Sequence, residues 1–276
     1  MKLLFTGSGG HAGSWHMRGV QMAATHKDWV AIPKATKADL VGADAVVLVK
    51  RAPKDTVAAI KAWGGPFLYD ALDFWKQPEG ASGIGSAPEA CMRFQKHFSE
   101  VDADIVLTPN TIMKFDLEPI CKKTAVLPHH FDPSISPNPR KHSRTVVYWG
   151  HPRYLEGWRE IADRVCRRVG AELLVNPKDP TVGAMMLAVR GGPYGSWLDR
   201  RWKSGVKGVT AMALGVPLVA WPELSYTEFC GSHLKPFTNE VQLETGLLEG
   251  LRGGFATDTT YSVENMAKVL EGIISA

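Results

Sequence analysis

Trp202 to Pro217 reads WKSGVKGVTAMALGVP and runs directly into the apolar LVAW of Leu218 to Trp221. A helix must therefore stop at Gly215 and hand over to a strand within a few residues. Lys203 and Lys207 are four apart, and Val206, Val209, Ala213 and Leu214 recur at helical spacing, which predicts a short amphipathic helix with two cations near its start. Cations at the positive end of a helix oppose its macrodipole, and an anion held jointly by the free amides and the ammonium groups reconciles the two. A phosphate or diphosphate fits that description. A solvated surface helix fits the spacing equally well.

The rest of the chain repeats the same exchange of strand and helix. Lys2 to Thr6 is a short apolar run that breaks into GSGGHAGSW, and helical character resumes at Met17. Strand, glycine-rich loop and helix open a nucleotide-binding α/β unit, because glycines let the backbone approach a phosphate. Gly7, Gly9, Gly10 and Gly13 do not have the spacing of the dinucleotide fingerprint. Trp29–Ile32, Ala45–Val49, Phe67–Tyr69, Ile105–Leu107 and Ala125–Leu127 read as further strands, with helices at about 54–63 and 89–98. Such alternation predicts parallel sheets covered by helices on both faces. Ligands of these sheets gather at the carboxyl ends of the strands. Asp70 and Asp73 stand at one such end, either facing a cleft or capping the next turn. Pro78–Ser86, rich in Gly, Pro and Ser, reads as a loop mobile over a site.

After Leu127 comes PHHFDPSISPNPR, whose four prolines make a stiff linker. His129, His130 and Asp132 lack a further ligand, and no metal site is expected. The second half begins with the strand Thr145–Trp149, then a helix at 158–169, the strand Glu172–Val175 and the strand Met185–Val189. Arg190, Arg200, Arg201, Lys203 and Lys207 fall within eighteen residues beside the start of the organising helix, which makes an anion clamp. A nucleic-acid backbone is the other anion such a set suits, with Tyr194, Trp197 and Trp202 as stacking partners. A final amphipathic helix, Val263–Ile274, is placed to pack back across the domain junction.

The net charge of +4 permits an anionic partner without demanding one. Cys91, Cys121, Cys166 and Cys230 show no zinc spacing and are expected as reduced thiols. MKLLF is too short an apolar run for a signal peptide and no stretch spans a bilayer, so a cytoplasmic location is expected.

The segment KSGVKGVTAMALGVPLVA, with the proline and glutamates of WPELSYTE, resembles the nucleotide-sugar-binding segment of GT-B glycosyltransferases, closest to the retaining family 4-like enzymes of bacteria and phages. Lys203, Ser204, Lys207, Ala211, Met212, Ala213, Gly215 and Pro217 match that pattern, while Thr210 stands where the family has a ribose-binding glutamate. The resemblance implies two Rossmann-like domains across a cleft, residues 1–140 on the acceptor side and 141–276 holding a nucleotide sugar, with UDP as its nucleotide. The donor contacts it implies are Gly9, Gly10, Arg153, Arg200, Lys203, Lys207 and Glu228, and the catalytic candidates are Asp70, Asp73 and His11. Retention would need no protein nucleophile; inversion would use Asp70 or Asp73 as base. No tightly bound cofactor is implied, the role of a divalent metal stays open, and the acceptor is a hydroxyl, a hydroxylated base in DNA among the candidates. An epimerase acting on a nucleotide sugar and a binding module without turnover are the competing readings.

Overall fold

The computed structural model describes residues 1–9, 13–136 and 144–276. In chain order the first half contains β1 (Leu3–Gly7), α1 (Gly13–Trp15, widening into a π-type turn over His16–Gln21), β2 (Trp29–Ala31), β3 (Ala45–Val49), α2 (Lys54–Trp63), β4 (Phe67–Asp70), α3 (Ala87–Val101), β5 (Ile105–Thr108), α4 (Thr111–Leu117) and β6 (Thr124–Val126). The second half contains β7 (Thr145–Tyr148), α5 (Arg159–Arg168), β8 (Glu172–Val175), β9 (Met185–Ala188), α6 (Trp197–Trp202), α7 (Val206–Leu214), β10 (Leu218–Ala220), α8 (Leu224–Phe229), β11 (Leu234–Pro236), α9 (Glu240–Arg252) and α10 (Val263–Ser275).

β1 to β6 form one sheet in the order β2-β1-β3-β4-β5-β6, and β7 to β11 a second in the order β11-β10-β9-β7-β8. Every neighbouring pair is parallel. Both faces of each sheet are covered, which is why strands such as Ala45–Val49 are apolar at every position and buried throughout. On the first sheet, α2, α3 and α4 pack on one face with Leu198 and Trp202 of α6. Trp15 and α10 pack on the other, where Val263, Met266, Ala267 and Leu270 join Leu3 and Phe5. On the second sheet, α7 and α8 cover one face and α5 and α9 the other. The architecture is two Rossmann-like domains of the GT-B type, with α6 and α10 each buried in the first domain's core.

Three local expectations change. Lys203 does not share a helix with Lys207: it ends α6 in an extended conformation (φ −75°, ψ 149°), and Gly205 precedes a separate helix, α7. Nor is α7 amphipathic, since Gly208 through Leu214 are all buried. The segment Pro78–Ser86 is not a free flap: Ala81 and Ile84 are buried in the first core. α9 carries Gly246 and Gly250, which weaken its sequence signal but let it lie close to the sheet; a Cβ there would sit 3.2 Å from Val219 Cγ1 and 3.1 Å from Pro217 Cγ, respectively. The four cysteines are free thiols. Among the described residues no helix is long and apolar enough to cross a membrane.

Candidate functional site

In each sheet one strand pair sends its connections in opposite directions, β1/β3 in the first and β7/β9 in the second. Crevices at the carboxyl ends of such pairs bind ligands. At the second, β7 ends in Tyr148 and turns through Trp149 and Gly150. Gly150 is pinned by Asn176, which accepts from its N–H at 2.8 Å and donates to its carbonyl at 2.9 Å. Lys207, in the first turn of α7, lies with its ammonium 4.5 Å from the centre of the Tyr148 ring. It forms no ion pair among the described residues, and burial pulls its pKa down to about 7, with the Arg190 charge adding to the effect. Trp149, Gly150, Val206, Lys207 and Thr210 line a pocket of about 250 Å³ there.

Arg190, just past β9, donates to Glu223 Oε1 at 2.6 Å and rests over the Tyr154 ring at 4.7 Å. Burial alone would lower its pKa, but the Glu223 carboxylate outweighs burial and holds it above the ordinary arginine value. Its Nη1 is buried without an acceptor among the described residues, as is the Trp221 Nε1 just past β10. Donors lacking acceptors at two adjacent strand ends suit an anionic or carbonyl-rich ligand. Thr210 is buried and its hydroxyl donates to Val206 O at 2.8 Å.

At the first sheet's carboxyl edge, Asp73 is held between Lys50 at 2.6 Å and Lys203 at 3.2 Å. Burial raises its pKa, yet the two ammonium groups prevail and bring it to about 2. Lys203 is also 3.7 Å from Asp199, and its ordinary pKa is lowered by burial to about 8 despite both carboxylates. Asp70 is wholly enclosed: Arg18 donates to it at 2.7 Å and also reaches Pro128 O at 2.7 Å and Leu127 O at 3.2 Å. Burial raises the Asp70 pKa even against Arg18. Asp70 therefore braces β4 against α1 and the end of β6 and offers no face to an acceptor. His129 and His130 are both neutral, burial pushing them to about 3 and about 2. His130 O lies 2.9 Å from His129 Nδ1 and Gln21 Oε1 lies 3.0 Å from His130 Nε2. Among the described residues no group of three His, Cys, Asp or Glu converges as a metal site.

The two domains meet through α4. Asn110 caps α4 by accepting from Met113 N at 2.7 Å and donates to Lys203 O at 3.1 Å and Ser225 Oγ at 2.8 Å. Asp116 takes both Arg201 donors, at 2.6 and 2.7 Å, together with Trp202 Nε1 at 2.8 Å. Glu228 accepts from Thr111 N at 3.1 Å, so it neutralises the start of α4 and does not line the pocket beside Lys207. It is Glu223, the first glutamate of the same segment, that reaches the crevice. Ile84, Pro78, Pro193 and Trp197 contribute to an inter-domain pocket of about 580 Å³.

Of the other residues singled out from sequence, His11 and Gly10 lie outside the described residues. Gly9 has φ +71° and backs onto Pro33, where a Cβ would come within 2.6 Å. Arg153 and Arg200 are exposed. The proposed five-cation clamp is thus divided: Lys207 and Arg190 at the second-sheet crevice, Lys203 and Arg201 in ion pairs that join the domains, Arg200 in solvent. Lys50, Asn110, Asp116 and Gly150 gave no sequence signal, because each depends on a partner at least 23 residues away.

No protein-family model matches the sequence, and no curated protein sequence matches it. Solved structures do share its shape. The spinosyn forosaminyltransferase SpnP superposes with a TM-score of 0.53 at 14% identity, over 100% of both chains. A structure of S. aureus MnaA with UDP superposes with a TM-score of 0.53 at 12% identity, over 100% of this chain and 96% of that one. At these identities the likeness establishes the shared fold.

Proposed function

We propose that this protein is a glycosyltransferase that takes a sugar from a nucleotide-sugar donor and passes it to an acceptor hydroxyl. The carrying observation is the pocket at the β7/β9 crevice, where Lys207, with no ion-pair partner among the described residues, stands in the first turn of α7 beside Gly150 and near the Nη1 of Arg190, which has no acceptor among those residues. In this reading residues 141–276 hold the donor and residues 1–140 face the acceptor. The diphosphate lies against the α7 amides and Lys207, and Gly150 leaves room because a side chain there would occupy the space of the ammonium. UDP-linked sugars are the first donors to test, since a fold neighbour was determined with UDP.

The chemistry asked of these groups is electrostatic. As the bond from the anomeric carbon to the diphosphate oxygen breaks, charge builds on the diphosphate, and preorganised cations there are worth about 3 kcal/mol each. The acceptor oxygen bonds to the anomeric carbon and its proton passes to the departing diphosphate. Asp70 and Asp73 are both taken up by cations, which favours the retaining course, in which no protein base is required. Lys203 acts as a positioning residue: it holds the α6–α7 junction against Asp73 and leaves Lys207 as the phosphate ligand.

The test is thermal stability with nucleoside diphosphates and nucleotide sugars, followed by donor hydrolysis measured without acceptor. A nucleotide-sugar shift that disappears in Lys207→Met supports the reading. No shift with any nucleotide sugar, with the variant folded, rejects it.

A further inference from the structure

Seven of the chain's cations line one groove. Arg51, Lys54 and Lys61 line a depression of about 570 Å³ between α2 and α3, and Lys76, Arg93 and Lys96 line a second of about 420 Å³. Trp75, His97 and Glu100 border both, so the two are continuous. With Lys50, which is paired with Asp73, the groove holds seven cations against Glu79, Glu100 and Asp73, an excess of four.

These cations are available. All six of the first-named are exposed. Lys96 approaches Glu100 only at 3.9 Å with both groups in solvent, a contact of little strength. Among the described residues Lys61 and Arg93 reach backbone carbonyls alone, Glu100 O at 2.9 Å and Ser82 O at 3.1 Å. The spacing is regular: Lys54, Val57, Ala58 and Lys61 share one face of α2, and Arg93, Lys96, His97 and Glu100 one face of α3. Trp75 stands between the depressions, 42% exposed, with the Arg51 guanidinium 3.4 Å from its ring centre. At the inner end Lys50 belongs both to the groove and to the ion pair with Asp73, so the groove leads to the junction of the two domains.

We propose that this groove binds a single strand of nucleic acid, with its phosphates along the cations of α2 and α3 and a base stacked at Trp75. An exposed indole flanked by cations offers a platform to an unpaired base, which a duplex keeps inside its own stack. A membrane surface would call for protruding apolar groups, whereas Leu48, Val57 and Val101 line the groove itself. The binding does not rest on the donor-site reading; where both hold, the strand carries the acceptor hydroxyl.

The experiment uses the whole protein without nucleotide sugar and follows the anisotropy of fluorescein-labelled oligothymidylate and oligouridylate of about 20 nucleotides, starting at about 50 mM salt. Saturable binding of either strand that weakens steeply with salt is expected, and the tighter strand names the sugar. Trp75→Ala weakens it about tenfold, Trp75→Phe restores most of the loss, and heparin, which has no bases, is bound equally by both. Arg93→Glu with Lys96→Glu makes the salt dependence shallower by about one and a half in the log–log slope. Lys207→Met leaves strand binding unchanged, which separates this site from the donor pocket. Absence of binding at the starting salt, or a Trp75→Ala protein of parental melting temperature and unchanged strand affinity, overturns the proposal.

Discussion

The Lys203 ammonium lies 3.2 Å from Asp73 Oδ2, joining the end of α6 to the loop after β4 across 130 residues of sequence. Both groups are largely buried, at 5% and 14% exposure, so this ion pair is a junction of the two domains and not a surface contact. It also fixes where α7 begins, and through that the position of Lys207.

Asp73→Asn is expected to cost about 3 kcal/mol at neutral pH, because it leaves Lys50 and Lys203 facing a neutral group. The pH dependence follows from the lowered pKa. A carboxylate held at about 2 against an ordinary 3.8 contributes fully above 3.8 and loses its contribution as pH falls through about 2. Urea unfolding of parent and variant should therefore converge across that acid window; a difference that persists below it contradicts the assignment.

Lys207 has a free-state pKa of about 7, and a bound diphosphate raises it, so donor binding takes up a proton above that value. Affinity for a UDP-sugar is expected to be highest below about pH 7 and to fall as pH rises through it. Calorimetric titration across the range checks this. Lys207→Met should bind about thirtyfold more weakly and lose the pH dependence.

Gly208 lies against α8, where an added Cβ would overlap Cys230 Sγ and come within 3.1 Å of the Tyr226 ring. Gly208→Ala should destabilise the protein by about 1–3 kcal/mol in spite of alanine's better helix propensity. An unchanged or raised denaturant midpoint would show that α7 can shift.

Thr210 lines the pocket with Lys207. Thr210→Glu puts a carboxylate where the resembled family has its ribose-binding glutamate, and is expected to tighten binding of a ribonucleotide without improving that of its 2′,3′-dideoxy analogue. Equal effects on both, measured by competition, would mean that the side chain does not meet the ribose.

Much of the fold was legible along the chain. Ala45–Val49, Glu172–Val175 and Lys54–Trp63 form the elements their apolar patterns predict, at the expected bounds. Less was legible at the site. The spacing of Lys203 and Lys207 suggested one helix, whereas an extended Lys203 and the Gly205 cap divide it into two. Glu223 and Glu228 stand in the same segment, and nothing local distinguishes the glutamate that caps a helix in the other domain from the one that pairs with Arg190.

Sequence alone determined the alternation of strands and helices, the two parallel sheets it implies and the glycine turns at their edges, because hydrophobic period and backbone freedom are properties of neighbouring residues. Tertiary structure decided which cations are spent on carboxylates and which remain for a ligand. That choice follows from pairings such as Asp73 with Lys203 and Asp116 with Arg201, whose partners lie 130 and 85 residues apart and belong to different halves of the chain.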